Sequence, residues 1–148
     1  MSDCIFCGIL AGELPGSFVF RDERCAAFMD IQPVNSGHVL IVPLSHAGQL
    51  SALDAPTAAH LMVVAQRITA ALRASPIRCE GVNLLLADGI AAGQEVSHVH
   101  LHVVPRFNAD GFGFRYRAEY KNAPAREQLE LTAAQIRTML VRPVTDTA

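Results

Sequence analysis

The sequence predicts an α+β domain built on an antiparallel sheet, and three stretches carry that reading. His38-Val-Leu-Ile-Val-Pro43 is a β-branched, apolar run closed by proline, which is the composition of a central strand. Between 55 and 72, Ala58, Leu61, Met62, Ala65, Ile68, Ala71 and Leu72 recur at helical spacing and predict a helix laid along the sheet. Ser97 to Arg106 alternates His98, His100 and His102 with Val99, Leu101 and Val103, so on a strand the imidazoles share one face and the aliphatics the other. Strand runs with segregated helices, rather than strict β-α-β alternation, favour antiparallel pairing.

In chain order, residues 4 to 11 read as a short helix opened by Asp3 as its N-cap, with Ile5, Phe6, Ile9 and Leu10 as its apolar stripe. Gly12 and Pro15-Gly16 end it. Residues 17 to 21 and 25 to 29 flank Asp22-Glu23-Arg24 and read as a hairpin. A loop with Pro33 and Asn35-Ser36-Gly37 leads into the strand at His38. Ser75-Pro76 stops the long helix, residues 82 to 87 form a further strand, and Asp88 to Gln94 is a glycine-containing turn running into the histidine row. The count comes to about five strands. Phe107 to Tyr120 shows no clean period, and Thr132 is expected to open a last helix over 132 to 141.

A chain of 148 residues, 51% of them hydrophobic, is expected to form one domain over 1 to 148 with a core that needs no disulfide staples. Twelve Lys and Arg against fourteen Asp and Glu leave a net charge of −2, which excludes the electrostatic footprint of a duplex-nucleic-acid or anionic-membrane binder. No run approaches the ~18 apolar residues that cross a bilayer, and the N-terminus has no basic segment followed by an apolar one. The expected location is cytoplasmic.

The histidine row has a geometric limit. At a rise of about 3.3 Å per residue, neighbouring histidines have Cα atoms roughly 7 Å apart and the outer pair roughly 13 Å apart. Tetrahedral zinc holds each nitrogen at about 2.0 Å, so one ion cannot easily take all three. At least one imidazole has other work, and a neutral imidazole serves as nucleophile or proton carrier near neutral pH. Gly89 and Gly93 stand where absent side chains let backbone N–H groups approach an anion. Cys4-x-x-Cys7 leaves three readings open: metal binding, a redox dithiol, or inert buried thiols.

The run His98-Val-His100-Leu-His102-Val-Val resembles the signature of the histidine-triad (HIT) family, and Ala92-Gly93-Gln94-Glu95-Val96 resembles that family's phosphate loop. Cys4-Ile-Phe-Cys7-Gly-Ile-Leu-Ala-Gly-Glu-Leu-Pro, Phe28-Met-Asp30-Ile31 and Gly37-His38-Val-Leu-Ile-Val-Pro resemble other landmarks of its Hint-like branch, so residues 3 to 106 are covered and 107 to 148 form an extension. The resemblance implies a HIT-like sheet with a packed helix, continued across a homodimer that pairs through the helix at 55 to 72, where Ala59, Val63 and Val64 are expected off the core stripe, and the neighbouring strand. It implies a hydrolase or transferase acting on nucleoside 5'-monophosphate derivatives, with His100 as nucleophile, His102 at the phosphate and leaving group, and His38 supporting the nucleophile through a relay. It places Gln94 and Gly93 at the phosphate, Asp30 on the ribose hydroxyls, and a purine base among Ile5, Phe6, Ile9, Phe28 and Ile31. It also implies structural zinc on Cys4, Cys7, His46 and His98.

Two alternatives stand beside this. A dinucleoside polyphosphate hydrolase would need cations for the extra phosphates, and Arg106 is the nearest one in sequence. A slow nucleotide-binding or partner-binding module is marked by Ala87, where the family usually carries Asn or Gln. Glu95 stands where some Hint-like members have Ser, and its carboxylate would repel departing phosphates.

Overall fold

A computed structural model describes residues 4–140, and the chain divides into two compact units, Met1–Phe112 and Gly113–Ala148. In the first unit, α1 (Ile5–Ala11) precedes the hairpin of β1 (Phe18–Arg21) and β2 (Cys25–Met29), then β3 (Val39–Pro43), α2 (Ala55–Ala74), β4 (Gly81–Leu85) and β5 (Leu101–Arg106). The strands form one five-stranded antiparallel sheet in the order β1-β2-β3-β5-β4. The predicted fold class therefore holds, with β3 and β5 at the centre.

Period-two alternation divides the core into two. Cys25, Ala27, Val39, Ile41, Leu101 and Val103 face α2, while Ala26, Phe28, Leu40 and Val42 face Phe6 and Leu10 of α1. Burying a Leu, Ile or Phe side chain stabilises by about 1.5–3 kcal/mol, so the doubly covered β3 is the costliest strand to disrupt. Its residues are buried throughout.

The long helix starts where the Asp54 carboxylate accepts from the Thr57 N–H at 2.9 Å, an N-cap beside Pro56. Leu61, Val64, Ala65, Ile68 and Leu72 are its buried apolar residues. Two expected core positions are corrected: Met62 is 52% exposed and Ala71 is also exposed. The observed stripe uses i, i+3, i+4, i+7 and i+11 from Leu61, which turns Met62 and Ala71 past its edge.

Three boundaries also differ from expectation. The N-cap of α1 is Cys4, whose side chain makes no cap bond, and Asp3 lies outside the described residues. The histidine strand begins at Leu101, so His98 and His100 lie in the bend and extended segment before it. The cause is local: His98 N–H turns back to the Val96 carbonyl and Val99 N–H goes to the Ala47 carbonyl, which ends regular pairing with β3 at Ile41↔Leu101.

In the second unit, α3 spans Arg126–Leu140 and none of its residues is buried. It starts well before Thr132, whose hydroxyl bonds the Gln128 carbonyl inside the helix instead of capping it. Glu127, Gln128, Leu129 and Glu130 are good helix formers, so the helix runs back toward Pro124. Residue 141, expected at its end, lies outside the described residues. No helix among the described residues is long and apolar enough to cross a membrane.

Candidate active site

One face of the sheet, the loop after the 3-10 turn at Ile90–Ala92 and α1 enclose a cleft of about 740 Å3. His100 and His102 line it from the β5 side, His38 and Leu40 from the β3 side, and Asp30 and Ile31 from the end of β2. Ile5, Phe6, Ile9 and Phe28 form an apolar wall, and Gly93, Glu95 and Val96 form the loop side. Of the residues expected at the nucleotide, the structure thus gathers all but Gln94. Glu95 and Val96 of the expected phosphate loop line the cleft as well, and so do Gln32, Val34, Gly16 and Ser17, which were not anticipated. No motif marks these last four, because they reach the cleft through chain path.

The α1 stripe splits by function. Phe6 and Leu10 are buried, and the Phe6 ring meets Phe28 edge-on at 5.7 Å and His100 at 5.1 Å. Ile5 is 47% exposed and, with Ile9, turns toward the cleft. Ile31 is 87% exposed at the rim.

Hydrogen bonds fix which nitrogen of each histidine carries the proton. Val34 N–H donates to His38 Nδ1 at 3.2 Å, so His38 holds its proton on Nε2 and donates it to His102 Nδ1 at 2.9 Å. His102 in turn carries its proton on Nε2. Burial and the neighbouring His100 and His38 push the His102 pKa down to about 4, and burial also lowers His38 although Asp30 opposes it. The pair is neutral near pH 7.

His100 donates Nδ1–H to the His98 carbonyl at 2.7 Å, which leaves the lone pair on Nε2. A buried imidazole so held, beside His102 at a ring separation of 4.8 Å, is set up to attack an electrophile in the cleft.

Asp30 follows β2 opposite His38, with its N–H on the His38 carbonyl at 3.0 Å. Its Oδ1 accepts from Gln32 N–H at 2.8 Å, and Oδ2 lies 3.5 Å from His38 Nδ1. The carboxylate is thereby held at the cleft, where paired hydroxyls have an acceptor.

The loop behaves differently from expectation at two points. The amides of Ala92, Gly93 and Gln94 are spent on the Gly89 and Ile90 carbonyls, closing the loop on itself rather than offering those donors to an anion. Gly93 has φ +88°, and a Cβ there would meet nothing within 4 Å, so backbone conformation and not crowding requires glycine. Gln94 braces this loop: its amide donates to the Gly48 carbonyl at 2.8 Å and accepts from Gly89 N–H at 2.7 Å. Arg106 lies outside the cleft lining, bound to Asp110 through Nε at 2.6 Å and also to Asn83 and the Phe112 carbonyl.

Beside the cleft, the donor atoms of Cys4, Cys7, His46 and His98 all fall within 4.8 Å of one another. Cys4 Sγ and Cys7 Sγ are 3.4 and 3.6 Å from His98 Nδ1, and Cys7 Sγ is 3.4 Å from His46 Nδ1. A tetrahedron with Zn–S of about 2.3 Å and Zn–N of about 2.0 Å has S···N edges of about 3.5 Å, so the set fits that ion. His98 is fully buried, and its Nε2–H donates to the Pro43 carbonyl at 3.0 Å, which turns the Nδ1 lone pair toward the sulfurs. The donors come from α1, the segment after β3 and the histidine row, which no sequence spacing links.

The HIT domain family model matches residues 11–109. An uncharacterized HIT-like protein of Borreliella burgdorferi is 43% identical over 116 residues, covering 78% of this chain and 84% of that protein. The adenosine 5'-monophosphoramidase of Candida albicans is 34% identical over 122 residues, covering 80% of each chain. The crystal structure of a zinc-bound histidine triad family protein from Mycobacterium smegmatis superposes with a TM-score of 0.72 at 37% identity, covering 93% of this chain and 97% of that one.

Proposed function

The chain belongs to the HIT domain family, and on that footing we propose that it is a nucleotide hydrolase or transferase acting on nucleoside 5'-monophosphate derivatives, phosphoramidates in particular. The observation that carries the reading is the fixed tautomer of His100, whose Nε2 lone pair belongs to a cleft with an apolar wall on one side and Asp30 on another. A purine between Ile5, Phe6, Ile9 and Phe28 and a ribose on Asp30 would set the α-phosphorus against that nitrogen. The Candida relative, an adenosine 5'-monophosphoramidase, supports this substrate class.

In the first step, His100 Nε2 bonds to phosphorus and the phosphorus–nitrogen bond breaks, the leaving nitrogen taking a proton from solvent that is relayed through His102, which stays neutral. In the second, water attacks phosphorus, the phosphorus–imidazole bond breaks to release the monophosphate, and the proton lost by water returns to solvent by the same relay. Polyphosphate substrates are disfavoured, since among the described residues no Lys or Arg lines the cleft and Arg106 is occupied by Asp110. Incubation with an AMP-amine phosphoramidate, quenched and weighed by mass spectrometry, should show one added nucleotidyl group on His100. Absence of both adduct and released amine would reject the proposal.

Cys4, Cys7, His46 and His98 would hold zinc, as the zinc-bound Mycobacterium structure supports. With four protein ligands such an ion is a structural cross-link between α1 and the histidine row.

The chain would also act as a homodimer. Ala59, Met62 and Val63 form an exposed apolar strip on α2, and β4 is a sheet edge carrying the exposed Leu84. Val64, expected in this strip, is instead fully buried in the core. Sedimentation at micromolar concentration should give twice the chain mass, and Met62→Lys/Val63→Lys should halve it.

A further inference from the structure

The cleft does not end at the phosphate loop. It shares Ile5, Glu95 and Val96 with a second hollow of about 560 Å3, lined further by Cys4, Cys7, His46 and Ser97. A substrate anchored by its nucleotide therefore has room to extend past Glu95.

Charge along this path is one-sided. The cleft is lined by two carboxylates, Asp30 and Glu95, and no Lys or Arg lines either hollow among the described residues. Asp30 is engaged by the Gln32 amide beside His38, on the β2 side. Glu95 is exposed and sits where the two hollows meet. Resting on the hydrolase reading above, we infer that Glu95 is a specificity-determining residue and that the second hollow receives the leaving group, selecting one that bears a positive charge.

A carboxylate facing a path without cations attracts an ammonium on the departing arm and repels a carboxylate or phosphate there. Because Glu95 is solvent-exposed, the preference is modest and screened by salt. The chemistry itself stays as described, with the amine nitrogen departing from phosphorus. Glu95 acts only on what that amine carries beyond the scissile bond.

The test uses three AMP phosphoramidates whose amines are matched in length and basicity and end in an ammonium, a hydroxyl or a carboxylate. In the full-length protein, kcat/KM should fall in that order by about two- to fivefold per step at low salt. The steps should shrink at about 1 M salt, where the screening length is about 3 Å. Glu95→Gln should bring the three values together, and Glu95→Lys should reverse the order. Hydrolysis of all three with the order unchanged in Glu95→Gln and Glu95→Lys would overturn this inference while leaving the hydrolase reading intact. Hydrolysis of none would overturn both.

Discussion

His98 and His100 stand two residues apart in the same row, yet their rings are held in opposite senses. His98 gives Nε2–H to the Pro43 carbonyl and presents Nδ1 to two sulfurs, whereas His100 gives Nδ1–H to the His98 carbonyl and presents Nε2 to the cleft. Each imidazole donates from one nitrogen to a backbone oxygen and is left with a lone pair on the other. Which backbone oxygen lies in reach decides which nitrogen each ring presents, Nδ1 to the sulfurs for His98 and Nε2 to the cleft for His100. The two sites are therefore mechanically joined, because the carbonyl that orients His100 belongs to His98.

The comparison is broken most severely at the nucleophile. His100→Gly should lower turnover of an AMP phosphoramidate by about a thousandfold or more while AMP binding stays measurable by calorimetry. Turnover within tenfold of wild type would reject His100 as the attacking group.

The ligand end comes next. Cys4→Ser/Cys7→Ser should reduce zinc from about one per chain to none by elemental analysis and lower Tm by several degrees, since an ion on this set would tie α1 to the histidine row. If His98 orients His100, kcat should fall in this variant as well, with KM less affected. Retention of full Tm in metal-free protein would remove the cross-link from the account.

A smaller gain should come from Ala87→Asn. Ala87 follows β4 two residues before Gly89 and does not line the cleft. One restored hydrogen bond to a charged oxygen is worth about 1.5–3 kcal/mol, or roughly ten- to a hundredfold in kcat/KM. An equal or lower rate at unchanged Tm would make Ala87 a neutral variation and remove the mark of the slow binding module.

The smallest effect is on stability against pH. His102 titrates near 4 when folded against about 6.5 unfolded, so the unfolded chain binds the extra proton. Its contribution is complete above about 6.5 and is lost as pH falls toward 4. Tm should decline over that window, and His102→Gln should flatten the decline. Parallel curves for the two proteins would show that His102 is not the group responsible.

Much of this molecule was legible before any coordinates. The β-branched run at 39–43, the helical spacing from Leu61 to Leu72 and the alternation through Leu101 and Val103 each record a local period imposed by burial on one face, and the sheet follows from them. The residue types at the site were legible too, since imidazoles in a row and a Cys-x-x-Cys pair are rare without chemistry. Tertiary structure alone decided what each is bonded to. Gln94, expected at the phosphate, was claimed by the Gly48 carbonyl, Arg106 by Asp110, and Val64 by the core. His98 and His100 were told apart by carbonyls supplied from Pro43 and from the bend at 96–98. Local patterns fix which face a side chain takes, but its hydrogen-bond partners depend on where the chain bends and on segments tens of residues away, as Pro43 is from His98 and Gly48 from Gln94, and only the packed chain brings these within reach.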